Sequence, residues 1–138
     1  MKNIIISDVT LRDGNHAVKH QINKNIINIY SKFAELNKID ILEVGHGNGL
    51  GASSLTIGRS KVSNIEAIKL AKKNLKNTKL SVHSIPGFST LDDVKLAIDY
   101  GADIIRVGCN SLDIDIIERQ FLYCKKNKVE SWCVFMMF

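Results

Sequence analysis

Apolar runs of strand length alternate with segments of helical periodicity along this sequence, and this alternation limits the fold more than any other feature. The runs are rich in β-branched residues, as in Ile4–Ile6 and Ile104–Val107. Strands that alternate with helices over short connections form a parallel sheet with right-handed crossovers. The residues alone therefore predict an α/β fold of about four βα units and a fifth strand. They leave a barrel and an open doubly wound sheet as alternatives.

The element boundaries follow from caps, breakers and periodicity. We expect strands over about residues 4–8, 40–44, 79–85 and 103–108, and a fifth strand from about residue 129. We expect helices over about 23–37 and 113–126, and two more that begin at the capping-box spacings Ser63-x-x-Glu66 and Thr90-x-x-Asp93. The stripe predicted to face inward on the first helix is Ile26, Ile29, Tyr30, Phe33 and Leu36.

The composition is that of an ordinary globular domain. The 138 residues are 24% charged and 45% hydrophobic, and the net charge of +5 comes from lysines spread over the predicted helices. No aromatic and basic stripe accompanies these lysines, so we expect no nucleic-acid partner. No run approaches the roughly 18 apolar residues of a membrane span, and we recognise no signal peptide, so we expect a cytoplasmic protein with no membrane partner. The three cysteines lack metal-site spacing, which indicates reduced thiols.

A charged cluster directly follows the first predicted strand, where α/β folds place their chemistry. Arg12 offers a fork of donors for a carboxylate or an oxyanion. Asp13 offers a hard oxygen ligand for Mg²⁺ or Mn²⁺, and His16 is a base that titrates near neutral pH. The cluster therefore predicts an electrophile, a metal anchor and a base. The plainer alternatives are an ion pair between Arg12 and Asp13 and a surface position for His16; His20 is expected at the surface.

A glycine-rich stretch, Gly45–Ser54, follows the second predicted strand. Four glycines within seven positions allow backbone amides to approach an anion closely, but the glycine spacing and the lysine of a phosphate-binding loop are absent. A flexible surface loop and a loop that covers a site are both compatible with this composition.

Four stretches resemble the 4-hydroxy-2-oxoacid aldolases, which are pyruvate-forming enzymes of the HMG-CoA lyase-like group of metal-dependent TIM barrels. The most specific is IISDVTLRDGNHAVKHQ, from Ile5 to Gln21. The stretch from Asp40 to Leu50 is similar to the family's second strand and its loop. Ile85-Pro86-Gly87 fits after the third strand, and Ala102–Val107 fits the fourth. The resemblance implies that the βα units form part of a (β/α) TIM-type barrel.

The resemblance also implies an activity, which is metal-dependent retro-aldol cleavage of a 4-hydroxy-2-oxo acid to pyruvate and an aldehyde by a carbon–carbon lyase. It implies that Arg12 binds substrate and stabilises the enolate oxygen and that His16 is the catalytic base for the 4-hydroxyl. Asp13 would ligate a divalent metal, Mn²⁺ in the first place and Mg²⁺ as the alternative. Family members complete that metal site with a His-x-His pair, which this sequence lacks.

Three further positions follow from the same resemblance. Glu43 and His46, at the end of the second strand, are predicted to support the metal from its second shell, with purely structural roles as the alternative. Where the family has a leucine-rich wall for the aldehyde, this sequence has His83 and Ser84. His83 is therefore a predicted substrate-binding residue, and we expect an aldehyde more polar than acetaldehyde.

The last residues, Ser131–Phe138, have the composition of a buried strand. A full barrel needs about 200 to 250 residues or more, so we expect residues 1–138 to be the N-terminal half of an aldolase-type barrel, apparently truncated. The alternative function is a non-catalytic half-barrel that self-associates through open edges or pairs with a full-length relative. An aldehyde dehydrogenase is a further partner that the resemblance suggests.

Overall fold

Residues 4–136 are described by the structure, a computed structural model of the 138-residue chain. Parallel strands form one sheet in the order β1 (Ser7–Asp8), β2 (Ile41–Glu43), β3 (Lys79–Ser84), β4 (Ile104–Asn110) and β5 (Glu130–Met136). The connections contain the helices α1 (Lys24–Leu36), α2 (Asn64–Lys72), α3 (Leu91–Asp99) and α4 (Glu118–Lys126). The predicted α/β fold, a partial barrel of four βα units and a fifth strand, is confirmed.

The hydrophobic core lies between the helices and the outer face of the sheet. Alternate strand residues point to this face because successive side chains of a strand point to opposite sides. Leu42, Leu80 and Ile105 are fully buried there, and Ile68 and Ala71 of α2 pack in the same cluster. None of the helices within residues 4–136 is long and apolar enough to cross a membrane.

The inner face of the sheet, on the side opposite to the helices, carries polar and charged side chains. Glu43 on β2 is the register partner of Ser81 on β3. Further along, His83 on β3 pairs with Arg106 on β4, which pairs with Trp132 on β5. Register partners in a parallel sheet present their side chains to the same face. The strands therefore present charged and polar groups on the side of the sheet opposite to the helices.

Three of the predicted helix starts are confirmed by their caps. Asn23 accepts a hydrogen bond from the Ile26 backbone N–H at 3.0 Å, and Ser63 accepts one from Glu66 N–H at 3.3 Å. Thr90 and Asp93 bond reciprocally as a complete capping box. The fourth helix differs from its prediction, because residues Ile114–Ile117 form a 3-10 turn and α4 begins only at Glu118.

The predictions for the first strand and the first helix were partly wrong. Strand β1 is two residues long, and Ile4–Ile6 before it are 87%, 64% and 54% exposed. Strand β1 has one neighbour, β2, so nothing in the described chain covers its other edge. On α1 the predicted stripe largely faces solvent; Ile27, Ser31 and Ala34 are buried instead. The small side chains allow α1 to approach α2 closely, and Asn74 donates to Ser31 Oγ at 2.8 Å.

Candidate functional site

Arg12 is held at the inner end of the sheet by three acceptors. Its Nε donates to Glu43 Oε1 at 2.6 Å, and its Nη1 donates to Asp13 Oδ1 at 2.7 Å and to the Gly47 carbonyl at 3.2 Å. The side chain is 12% exposed. Arg12 follows β1. Asp13 is its neighbour in the same turn, and the other two acceptors come from β2 and the loop after β2, so the fold itself fixes the guanidinium. A guanidinium fixed in this way can present its remaining donors to an oxyanion without reorganisation.

Glu43 is the anion that organises this face. Its carboxylate is completely buried, and it accepts bonds from Arg12, from Arg106 Nη1 at 2.9 Å and from Ser81 Oγ at 3.2 Å. A buried carboxylate is stable only when its oxygens are paired and hydrogen-bonded, and both oxygens of Glu43 are. Glu43 contacts Arg12 rather than Asp13. The geometry therefore supports a role in orienting the guanidinium, and its predicted second-shell role at a metal stays a prediction.

Arg106 belongs to this cluster, and no role was predicted for it from the sequence. Its guanidinium extends from β4 across β3 to reach Glu43 on β2, and its side chain is 17% exposed. A signal was present in the sequence, because an arginine inside the run Ile104–Val107 interrupts an otherwise apolar strand. A charge in that position needs a partner on one face of the sheet. The pattern does not reveal which strand supplies it.

Asp13 was predicted as a metal ligand, and it lies at the rim of the site. Its side chain is 61% exposed and forms the ion pair with Arg12 that was the plainer alternative. Within residues 4–136, no group of three histidine, cysteine, aspartate or glutamate side chains is arranged to hold a metal ion. A divalent cation needs several ligands gathered in advance. The described residues alone therefore do not form a metal centre, although Asp13 offers one exposed carboxylate.

His16 is exposed at the surface of the 3-10 turn that follows Arg12, and its ring packs against the loop after β2. A Cβ on Gly47 would overlap the His16 ring, so a glycine is needed at that position for the two to meet. The His16 ring also contacts His20 edge-on, with ring centroids 5.0 Å apart. The imidazole that was predicted as the base is therefore in the same loop cluster as Arg12 and Asp13.

His46 and His20 form a buried stack next to His16. Their rings are 3.7 Å apart at 17°, and His20 is 6% exposed, so the prediction that His20 lies at the surface was wrong. His46 Nδ1 accepts from Asn48 N–H at 3.0 Å, so Nε2 carries the proton that is donated to the Gly58 carbonyl at 3.0 Å. Burial lowers the pKa of both imidazoles. Both ring nitrogens of His46 are bonded inside its loop, which fits the structural alternative; its predicted support of a metal stays a prediction.

His83 lies on the inner face with Arg106 as its register partner, and it is 5% exposed. Burial is the main reason that the pKa of His83 falls to about 4; Glu43 opposes the shift, and Arg12 and Arg106 add to it. The imidazole is therefore neutral at pH 7. Ser84 points the other way: it donates to Gln120 Oε1 at 2.8 Å in the outer core. The expectation that Ser84 adds polarity to a pocket with His83 was wrong.

The glycine-rich loop is packed against the site and is not a loose surface loop. Leu50 N–H donates to the His83 carbonyl at 2.8 Å, and Asn64 bonds both His46 N–H at 2.8 Å and the Gly49 carbonyl at 3.2 Å. Gly49 has φ of +89°, and a Cβ there would overlap the His83 carbonyl. Glycine is therefore required by conformation and by close approach. The loop lies against His83 on one side and Arg12 on the other.

Comparison with solved structures identifies the same architecture in another protein. The N-terminal domain of a protein assigned as an aldolase, from Bacteroides vulgatus, superposes with a TM-score of 0.75 over 98% of this chain and 45% of that one. The two sequences are 23% identical, so this likeness shows the fold alone. No protein-family model matches the chain.

Comparison with curated proteins gives closer relatives in sequence. The chain is 44% identical over 135 residues to 4-hydroxy-2-oxovalerate aldolase of Spirochaeta aurantia, an alignment of 97% of this chain and 40% of that protein. It is 49% identical over 116 residues to 4-hydroxy-2-oxovalerate aldolase 2 of Salinispora arenicola, which covers 83% of this chain and 33% of that protein. The chain thus spans two fifths or less of the length of these relatives. Over the part of those proteins that it spans, the chain is similar in sequence to the 4-hydroxy-2-oxovalerate aldolases.

Proposed function

We propose that this chain carries part of the active site of a carbon–carbon lyase that cleaves a 4-hydroxy-2-oxo acid to pyruvate and an aldehyde. The observation that carries the proposal is the fixed guanidinium of Arg12, which Glu43 and the Gly47 carbonyl hold beside Asp13 and His16. The names of the relatives support the same reaction class.

The reaction needs a group that stabilises the negative charge that develops on the enolate oxygen of pyruvate. Arg12 is suited to this role because its position is set before substrate binds and its surroundings are largely shielded from water. His16 is the candidate base that removes the proton from the 4-hydroxyl, and it is open to solvent at the same rim. Glu43 orients the guanidinium, and Arg106 holds Glu43 from the opposite side.

The metal remains a proposal. Bound Mn²⁺, or Mg²⁺ as the alternative, would act as a Lewis acid toward the 2-oxo acid. Asp13 is the carboxylate that this chain would offer, and residues outside the described set would have to supply the other ligands. The cytoplasmic location and an aldehyde dehydrogenase partner also remain proposals that the resemblance suggests.

The test is pyruvate release from 4-hydroxy-2-oxopentanoate by the purified chain with Mn²⁺ present. We expect metal-dependent release that falls at least about 100-fold in Arg12→Lys, because a lysine cannot reproduce the three-way bonding of the guanidinium. Arg59→Lys is the matched control, because Arg59 is exposed and lies outside the cluster. Release that is unchanged in Arg12→Lys would contradict the role of Arg12.

The second candidate is a non-catalytic half-barrel that associates with a second copy of itself or with a full-length relative. It is favoured by one observation, namely that β1 and β5 each have a single neighbour in the sheet and Ile4–Ile6 are mostly exposed beside β1. Exposed apolar strand edges promote pairing between chains. Sedimentation equilibrium separates the candidates: a concentration-dependent dimer without pyruvate release supports the half-barrel, and an active monomer excludes it.

A further inference from the structure

We propose that Cys109 and Cys133 form a dithiol site that captures a monosubstituted trivalent arsenical, R–As(OH)₂, through two sulfur–arsenic bonds. Cys109 is on β4 and Cys133 is on β5, and their Sγ atoms are 3.9 Å apart. Neither residue is part of the cluster around Arg12, so the inference does not depend on the proposed lyase function.

The register of the two strands brings the thiols to one face of the sheet but keeps them on a diagonal. Cys133 is the register partner of Val107, which lies two residues before Cys109 on β4. Side chains two residues apart on a strand share a face, and here it is the face toward the helices, where both cysteines pack with the hydrophobic core. Strands about 4.8 Å apart with a rise of about 3.3 Å per residue place the two Cα atoms about 8 Å apart.

This spacing suits a bridging atom better than a direct disulfide. A disulfide needs Cα atoms within about 7 Å and sulfurs about 2.05 Å apart, so its formation here would require the strands to shift. An atom bonded to both sulfurs at about 2.3 Å, the length of a zinc–sulfur bond, spans the observed 3.9 Å with an angle of about 116°. This angle is nearly tetrahedral, and the smaller angle at a pyramidal arsenic atom draws the sulfurs only slightly closer.

The number of donors selects the bridging element. Among the described residues, no group of three histidine, cysteine, aspartate or glutamate side chains is arranged to hold a metal ion. A structural zinc site needs about four protein ligands, and the pair supplies two. A monosubstituted trivalent arsenical has two replaceable hydroxyl groups, so two thiols complete its valence.

The exchange also leaves no charge in the core. Burial, and then the neighbouring Cys133, raise the pKa of the Cys109 thiol, so this thiol is neutral at pH 7. Each S–H proton leaves with one hydroxyl of the arsenical as water, and two sulfur–arsenic bonds replace two oxygen–arsenic bonds. Arsenic stays trivalent, so no oxidant or reductant is consumed. Cys109 is 2% exposed and Cys133 is partly exposed, so the first bond forms at Cys133.

Native mass spectrometry of the reduced full chain measures the capture. The probe is methylarsonous acid, and the matched probe is dimethylarsinous acid, which has one replaceable hydroxyl and can bond to one thiol only. We expect the folded chain to gain one methylarsenic group in place of two hydrogens. Methylarsonous acid should bind at least about 100-fold more tightly than dimethylarsinous acid, because its second bond forms within one molecule.

Substitution of each cysteine locates the site. Cys133→Ser and Cys109→Ala should each weaken the capture of methylarsonous acid at least about 100-fold, because one thiol remains. Cys124→Ala is the matched control: Cys124 is fully buried on α4, outside the pair, and its loss should leave capture unchanged. Far-UV circular dichroism confirms that each variant is folded. Because Cys133 is only partly buried, Cys133→Ser tests the site even if Cys109→Ala does not fold.

Three results would overturn the proposal: no methylarsenic adduct on the folded chain, equal affinity for the two probes, or capture that persists in Cys133→Ser. Capture that is lost equally in folded Cys124→Ala would overturn it as well, because the site would then not be the pair on β4 and β5.

Discussion

Replacing Glu43 with glutamine is the perturbation that tests the inner-face cluster most sharply. The substitution keeps the size and the acceptor oxygen of the side chain but removes the charge that Arg12 and Arg106 share. Both guanidiniums are largely buried, at 12% and 17% exposure, so water can replace the lost anion only in part. Removing one partner of a buried ion pair costs about 3 to 5 kcal/mol. Because the amide still accepts hydrogen bonds, we expect the free energy of unfolding to fall by about 3 kcal/mol, the lower end of that range.

Urea unfolding, followed by Trp132 fluorescence and by circular dichroism, measures this loss. Glu66→Gln is the matched control: Glu66 pairs with Lys24 at the surface, with side-chain exposures of 40% and 63%, and should cost less than about 0.5 kcal/mol. In a double-mutant cycle with Arg106→Met, the two losses should fail to add by at least about 1 kcal/mol, because the two side chains share a bond. A loss below about 1 kcal/mol for Glu43→Gln, or additive effects, would refute the view that Glu43 organises this face.

Three further predictions concern positions around the cluster. Gly47→Ala should displace the ring of His16 and lower the free energy of unfolding by about 1 to 3 kcal/mol; an unchanged His16 Cε1 resonance in the NMR spectrum would contradict this. Burial lowers the pKa of His83 from 6.5 to about 4, so the folded state disfavours protonation of this ring. The free energy of unfolding should therefore fall by at most about 3 kcal/mol as the pH drops from 6.5 to 4. His83→Gln should flatten this dependence of stability on pH. Backbone N–H groups of the segment that begins at Lys76 lower the pKa of Glu35 to about 2. The stabilisation of the fold by the ionised Glu35 is therefore present above about pH 4.5 and lost toward pH 2. Acid unfolding of Glu35→Gln that matches that of the parent chain would disprove this stabilisation.

The fold could be predicted from local patterns because its determinants are local. The capping box at Thr90 and Asp93 formed as expected. The buried face of α1 could not be predicted in the same way. Two apolar stripes compete on that helix, and the choice between them depends on how closely α2 approaches Ser31 and Ala34. That distance is set by the packing of the whole sheet.

The candidate site shows the same division between local and distant causes. Arg12, Asp13 and His16 lie within one turn, so the sequence brought them together directly. The role of Arg106 depends on a register across three strands, which no spacing along the chain encodes. The burial of His20 likewise comes from its stacking on His46, 26 positions away along the sequence. Contacts of that kind become visible only in the folded chain.

Exchange of the methyl protons of pyruvate in D₂O is the sharpest test of the role of Arg12, because exchange requires the enolate that Arg12 is proposed to stabilise but no aldehyde. The measurement is the loss of the pyruvate methyl signal by proton NMR in the presence of the purified chain and Mn²⁺. We expect exchange that is faster than with Mn²⁺ alone, that is lost in Arg12→Lys and that is retained in Arg59→Lys. Exchange by the folded chain that is no faster than with Mn²⁺ alone would rule out enolate stabilisation by Arg12.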